Sequence, residues 1–192
     1  MFFIVILMEN YVYSLEEQKK LLLLARQSIE EELHIGKPTI LLEIEKNSRF
    51  KEFRGVFITL KKKGHLRGCI GFPYATNYLY KNVYEVAKES AVADMRFTQL
   101  TKEELSQVRI EISILTKPEK VTSMKDIEIG KDGLMCKFMG SSGLLLPQVA
   151  KEFNFNKIEF LEALCDKAGL PKGTWQQRGF ELFKFQAQIF GE

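Results

Sequence analysis

Hydrophobic positions along this chain recur at two periods, and the switches between them mark out the elements. Ser14-Leu15-Glu16-Glu17 is a capping box, in which the serine accepts the third amide of a helix and Glu17 reaches back. The helix it opens is predicted to bury Leu22, Ala25, Ile29 and Leu33 and to stop at Gly36 and Pro38. Arg54 to Leu60 then alternates, with Val56, Ile58 and Leu60 on one side, as a strand does. Lys61-Lys62-Lys63-Gly64 reads as a solvated turn and Leu66 to Gly71 as the returning strand of a hairpin. Helical spacing resumes from Leu79 to Asp94 through Leu79, Val83, Val86, Ala87, Ser90 and Ala91, and Thr101 to Glu104 is a second capping box. Val108 to Leu115 alternates strictly.

Beyond Pro118 the pattern starts again. Ile127 onward reads as a hairpin, with Gly130-Lys131-Asp132-Gly133 as its turn and Leu134 to Met139 returning, followed by a flexible loop over Gly140 to Gly143. Pro147 opens a helix through Phe153, and Asn156-Lys157-Ile158-Glu159 caps another that ends at Gly169 and Pro171. Phe180 to Phe190 is the last strand, with Phe183, Phe185, Ala187 and Ile189 on one face. Hairpins mixed with helices predict an α+β fold with mixed or antiparallel sheets. No linker is long or polar enough to separate independent domains. A hairpin followed by a helix occurs near 53–94 and again near 127–168, which favours two packed halves with a groove between them.

Composition narrows the function classes only a little. The chain has 192 residues, 45% hydrophobic and 28% charged, with a formal charge of +3. That balance gives no argument for nucleic acid, whose binding domains often exceed pI ~9. Cys69, Cys136 and Cys165 are an odd, scattered set, which argues against a disulfide framework and for the reducing cytoplasm. They and the two histidines supply no paired metal-ligand spacing, so no metal and no cofactor is expected. The phosphate-loop and dinucleotide glycine patterns are absent. The apolar run Phe2 to Met8 is far short of the ~20 residues that span a bilayer and is read as an edge strand, or as a segment ahead of a start at Met8.

The densest candidate chemistry is Leu66-Arg67-Gly68-Cys69-Ile70-Gly71. On a regular strand Arg67 and Cys69 share a face, and a neighbouring guanidinium favours thiolate. Gly68 and Gly71 would let a ligand or another backbone come close. Three readings stand: Cys69 as a nucleophile, Arg67 with glycine amides as an anion pocket, or a purely structural strand. Arg96 could add a second anion contact. Glu111 and Ser113 share the polar face of their strand, and Glu111 is a candidate general base or a partner for Arg67.

These residues resemble the AMMECR family. The resemblance runs from about Leu15 to Phe190 and rests on the hexapeptide, Arg54-Gly55-Val56-Phe57, Asp94 with Arg96-Phe97, Glu111-Ile112-Ser113, Gly143 to Ala150, Cys165 with Lys167 to Pro171, and Trp175. Met95 stands where the family usually has proline. The resemblance implies one domain over 1–192 with 1–13 as an extension, two unequal subdomains, and a cleft at the hexapeptide. It implies no reaction. It does imply a pathway link to Memo-type and radical-SAM-type proteins. The readings ahead of the structure are therefore a cleft for a small anionic ligand, a non-enzymatic regulatory or protein-binding module and, third, nucleic-acid binding.

Overall fold

The computed structural model describes residues 12–192, so the strand expected over Phe2 to Met8 lies outside the described residues. The chain divides into two compact units. One holds the described residues up to Leu115 together with Gln188–Glu192, and the other holds Thr116–Ala187.

In the first unit, α1 (Leu15–Glu32) begins at the Ser14 capping box. It buries Leu21, Leu24, Ala25, Ser28 and Ile29, a stripe rotated slightly from the one expected. His34 takes the left-handed position after it, with φ 56°. A short α2 (Leu41–Ile44) follows, then the hairpin of β1 (Val56–Lys62) and β2 (His65–Phe72). Lys61 and Lys62 belong to β1, and the turn is only Lys63-Gly64, both at positive φ. Next come α3 (Leu79–Val92), the single turn α4 (Lys102–Leu105) and β3 (Val108–Leu115). β8 (Ala187–Gly191) completes a sheet of order β2-β1-β3-β8.

Helices α1 and α3 pack on each other and on this sheet. Val56, Ile58, Leu60, Ile110, Ile112 and Ile114 enter one core with Leu24, Ile29, Val83 and Val86. The opposite face of the same strands carries Phe57, Thr59, Lys61, Glu111 and Ser113, as the period of two requires.

The second unit has a sheet of order β4-β7-β5-β6, formed by β4 (Glu119–Lys120), β5 (Gly133–Phe138), β6 (Ser141–Leu145) and β7 (Glu181–Phe185). Helices α5 (Pro147–Glu152) and α6 (Lys157–Lys167) accompany it. Its core gathers Ile127, Leu134, Cys136, Ala150, Phe160, Leu161 and Leu164. Two expectations are corrected here. The hairpin partner of β5 is β6, because Met139 and Gly140 at positive φ form the tight turn, so the expected flexible loop is strand. The expected final strand is two strands, β7 and β8, which belong to different sheets. The observed architecture is α+β, with β1 antiparallel to β2 and β3, β7 antiparallel to β4 and β5, and β5 antiparallel to β6.

Candidate functional site

The hexapeptide lies on β2, an edge strand, and its regular alternation is broken. Gly68 pairs with Leu60, but Leu66 pairs with Lys61, so the register shifts and Arg67 is the extra residue of a bulge. Arg67 therefore turns away from the face that carries Cys69. Its Nη2 and Nε bond the Glu104 carboxylate at 2.8 and 3.3 Å, and Nη1 and Nη2 donate to the carbonyls of Thr98 and Gln99 at 2.8 and 3.2 Å. Lys62 Nζ meets the same carboxylate at 2.8 Å. Glu104 also accepts the Thr101 amide, so one side chain closes a capping box and holds two cations. The Arg67 bond and the Lys62 bond hold its pKa down at about 2. Arg67 is 12% exposed and ties the 98–104 segment to the sheet.

At Gly68 the backbone of α3 comes close to the strand. A Cβ there would lie 2.2 Å from the Ser90 carbonyl oxygen. The Ser90 hydroxyl sits inside the sheet ladder, accepting from Ile70 N–H at 3.1 Å and donating to the Ile58 carbonyl at 3.0 Å. Gly71 makes room for the Phe57 ring, whose nearest atom would be 2.2 Å from an added Cβ. Both glycines are thus explained by close approach of the protein to itself.

Cys69 faces away from the helices. Its Sγ is 3.3 Å from Thr59 Oγ1, and Thr59 pairs in turn with Glu111 on β3. Thiol, hydroxyl and carboxylate therefore form one cross-strand line. Glu111 is bound at 2.9 Å by Lys61 rather than by Arg67. Ser113, two residues further along the same face, is 1% exposed, and its hydroxyl has no hydrogen-bond partner among the described residues.

The backbone of Cys69 is gripped from the open edge of the sheet. Asp94 Oδ2 accepts its N–H at 2.8 Å, and Arg96 Nη2 donates to its carbonyl at 3.1 Å. Asp94 and Arg96 bond each other at 2.7 Å, and the Arg96 bond followed by the Cys69 and Arg96 amides holds the Asp94 carboxyl well below the usual carboxylate range. Arg96 is 54% exposed. Burial pushes the other two thiols, Cys136 and Cys165, upward.

Of the residues singled out from sequence, Cys69, Glu111 and Ser113 share one face of the first sheet and Arg96 binds the Cys69 backbone at its edge, while Arg67, Gly68 and Gly71 hold that strand in place. Sequence reasoning missed Thr59, Ser90 and Glu104 as members of the arrangement. Each left a signal: a hydroxyl inside an apolar strand, a serine within a small-residue helix stripe, and a glutamate in a capping box. Among the described residues there is no group of three or more His, Cys, Asp or Glu side chains that could hold a metal ion. No described helix is long and apolar enough to cross a membrane.

The model of the AMMECR1 family matches residues 22–190. The chain belongs to the AMMECR1 family. A Methanococcoides burtonii protein is 41% identical over 184 residues, covering 93% of this chain and 90% of its own. A Thermoplasma volcanium protein is 41% identical over 191 residues, covering 96% and 94%. The crystal structure of an uncharacterized Pyrococcus horikoshii protein is similar with a TM-score of 0.81 and 38% identity, covering 90% of this chain and 89% of that one. The AMMECR1 hexapeptide, followed residue by residue, thus divides into a thiol facing one way and a guanidinium locked the other.

Proposed function

We propose that the face of the first sheet opposite α1 and α3, around Cys69, binds a small anionic ligand, with the Cys69 thiol in contact with it. The observation that carries this reading is the cross-strand line of Cys69, Thr59 and Glu111, with a 3.3 Å thiol–hydroxyl contact. Such a line presents an acceptor, a donor and a nucleophile at strand spacing. The buried Ser113 hydroxyl, without a hydrogen-bond partner among the described residues, supplies a further polar group. On that face the ion pairs are Lys61 with Glu111 and Arg96 with Asp94, while Arg67 and Lys62 meet Glu104 on the side turned away from the thiol. Of these cations Arg96 is the exposed guanidinium that can turn to an anion, while Arg67 acts by holding the 98–104 segment.

The test is alkylation of the native protein with iodoacetate, read by peptide mass spectrometry. Cys69 should react well before Cys136 and Cys165, and malonate or inorganic phosphate should slow it. If Cys69 is as inert as the two buried thiols, the reading fails. A second reading, a non-enzymatic regulatory or protein-binding module, draws on the closed bonding of Arg67 and the packing roles of Gly68 and Gly71. An alkylation-inert Cys69 together with a partner whose binding survives Cys69→Ser would favour it.

A further inference from the structure

Asp94 and Arg96 reach the Cys69 peptide from opposite ends. One accepts its N–H and the other donates to its C=O, in the positions that an adjoining strand's peptide groups would occupy. The two side chains also bond each other through Arg96 Nε and Nη2, at 2.9 and 2.7 Å. A local turn sets them up, since the Arg96 amide itself donates to Asp94 Oδ1 at 3.2 Å. This clamp fixes the backbone that carries the thiol, and it places one negative and one positive charge beside it. Ligand binding that draws Arg96 outward would leave the Asp94 charge uncompensated there.

We propose that the Asp94–Arg96 pair is a positioning clamp that sets the reactivity of the Cys69 thiol through balanced opposite charges. The inference rests on the reading of Cys69 as the ligand-facing thiol. Of the other charged groups, Lys61 is paired with Glu111 on the same face, Arg109 stands opposite Lys61 and two residues from Glu111, and Arg67 and Lys62 meet Glu104 on the side turned away from the thiol. Thr59, the side chain touching the sulfur from β1, carries no charge. The clamp is therefore the pair whose imbalance the sulfur would register most directly, because nearby positive charge favours thiolate and nearby negative charge opposes it.

The sign of the effect separates this role from plain structural support. Asp94→Asn keeps the shape and an acceptor for the Cys69 N–H but leaves Arg96 unbalanced. The pH–rate profile for iodoacetamide alkylation of Cys69 should then move to lower pH, on the order of one pH unit. Arg96→Gln leaves Asp94 unbalanced, and the profile should move to higher pH by a similar amount. Arg96→Lys keeps the charge and should restore the wild-type profile. Thermal unfolding of each variant identifies any that fail to fold, and Arg96→Lys against Arg96→Gln still decides the matter if Asp94→Asn does. Shifts in the same direction, or no shift with Cys69 still reactive, overturn the clamp and leave the ligand site standing. No reaction at Cys69 in the wild-type protein overturns both.

Discussion

At the scale of single residues, the hexapeptide is a set of separate steric and ionic demands. Gly68 faces a helix backbone, which cannot move aside as a flexible side chain would. Gly68→Ala should cost at least about 2 kcal/mol by overpacking, read by urea unfolding. Gly36 is the control: an added Cβ there meets nothing within 4 Å, so Gly36→Ala should be neutral or stabilise by about 0.4–1 kcal/mol. Glu104 makes a pH prediction. Its folded pKa of about 2 is depressed below the usual 4.5, so its stabilising effect is complete above pH 4.5 and disappears as pH falls through 2. Partial exposure screens the pair, so Glu104→Gln should destabilise by about 1–2 kcal/mol at pH 7. The gap between the two proteins should close between pH 4.5 and 2. A gap that stays constant across that range would show that the Glu104 charge contributes nothing through Arg67 and Lys62.

At the scale of elements, local chemistry in the sequence was a good guide wherever the element is local. The Ser14–Glu17, Thr101–Glu104 and Asn156–Glu159 boxes all form, and Val108–Leu115 is the strand its alternation predicts. The misreadings occur where pairing with a distant strand decides the outcome. Arg67 leaves the Cys69 face because β1 and β2 slip by one residue, which periodicity within β2 cannot reveal. The apparent strand Phe180 to Phe190 divides at Gln186, whose N–H and C=O both bond Thr116 rather than a continuing ladder. The role of Ser90 was hidden for the same reason. Its hydroxyl joins α3 to a ladder position of the sheet. Ser90→Ala should leave the Ile70 N–H and Ile58 C=O without that bridge and cost about 1–3 kcal/mol. Hydrogen exchange at the Ile70 amide should speed up with it. Unchanged protection there would mean that the two strands close the gap directly.

At the scale of the whole molecule, the two units differ in how the chain builds them. The second is one continuous stretch, and its ends are already fastened: Thr116 N–H donates to the Gln186 carbonyl at 2.8 Å, and Gln186 N–H donates to Thr116 Oγ1 at 2.8 Å. It has its own sheet and its own core. The first unit needs the returning tail. Gln188 holds both the N–H and the C=O of Tyr13, at 2.7 and 2.9 Å, and the Glu192 carboxylate receives Arg26 and the Ile110 amide. Cutting the chain at the boundary should therefore have unequal effects. A fragment of residues 116–187 should fold alone, with a cooperative urea transition and a stability of about 3–5 kcal/mol, as expected for a small single core. A fragment of residues 12–115 lacks β8, and so loses the fourth strand of its sheet along with the Gln188 anchor of Tyr13 and the Glu192 partner of Arg26. It should unfold without a cooperative transition until a peptide of residues 186–192 is added back. Cooperative folding of 12–115 by itself, with no response to that peptide, would show that the tail merely decorates a unit already complete.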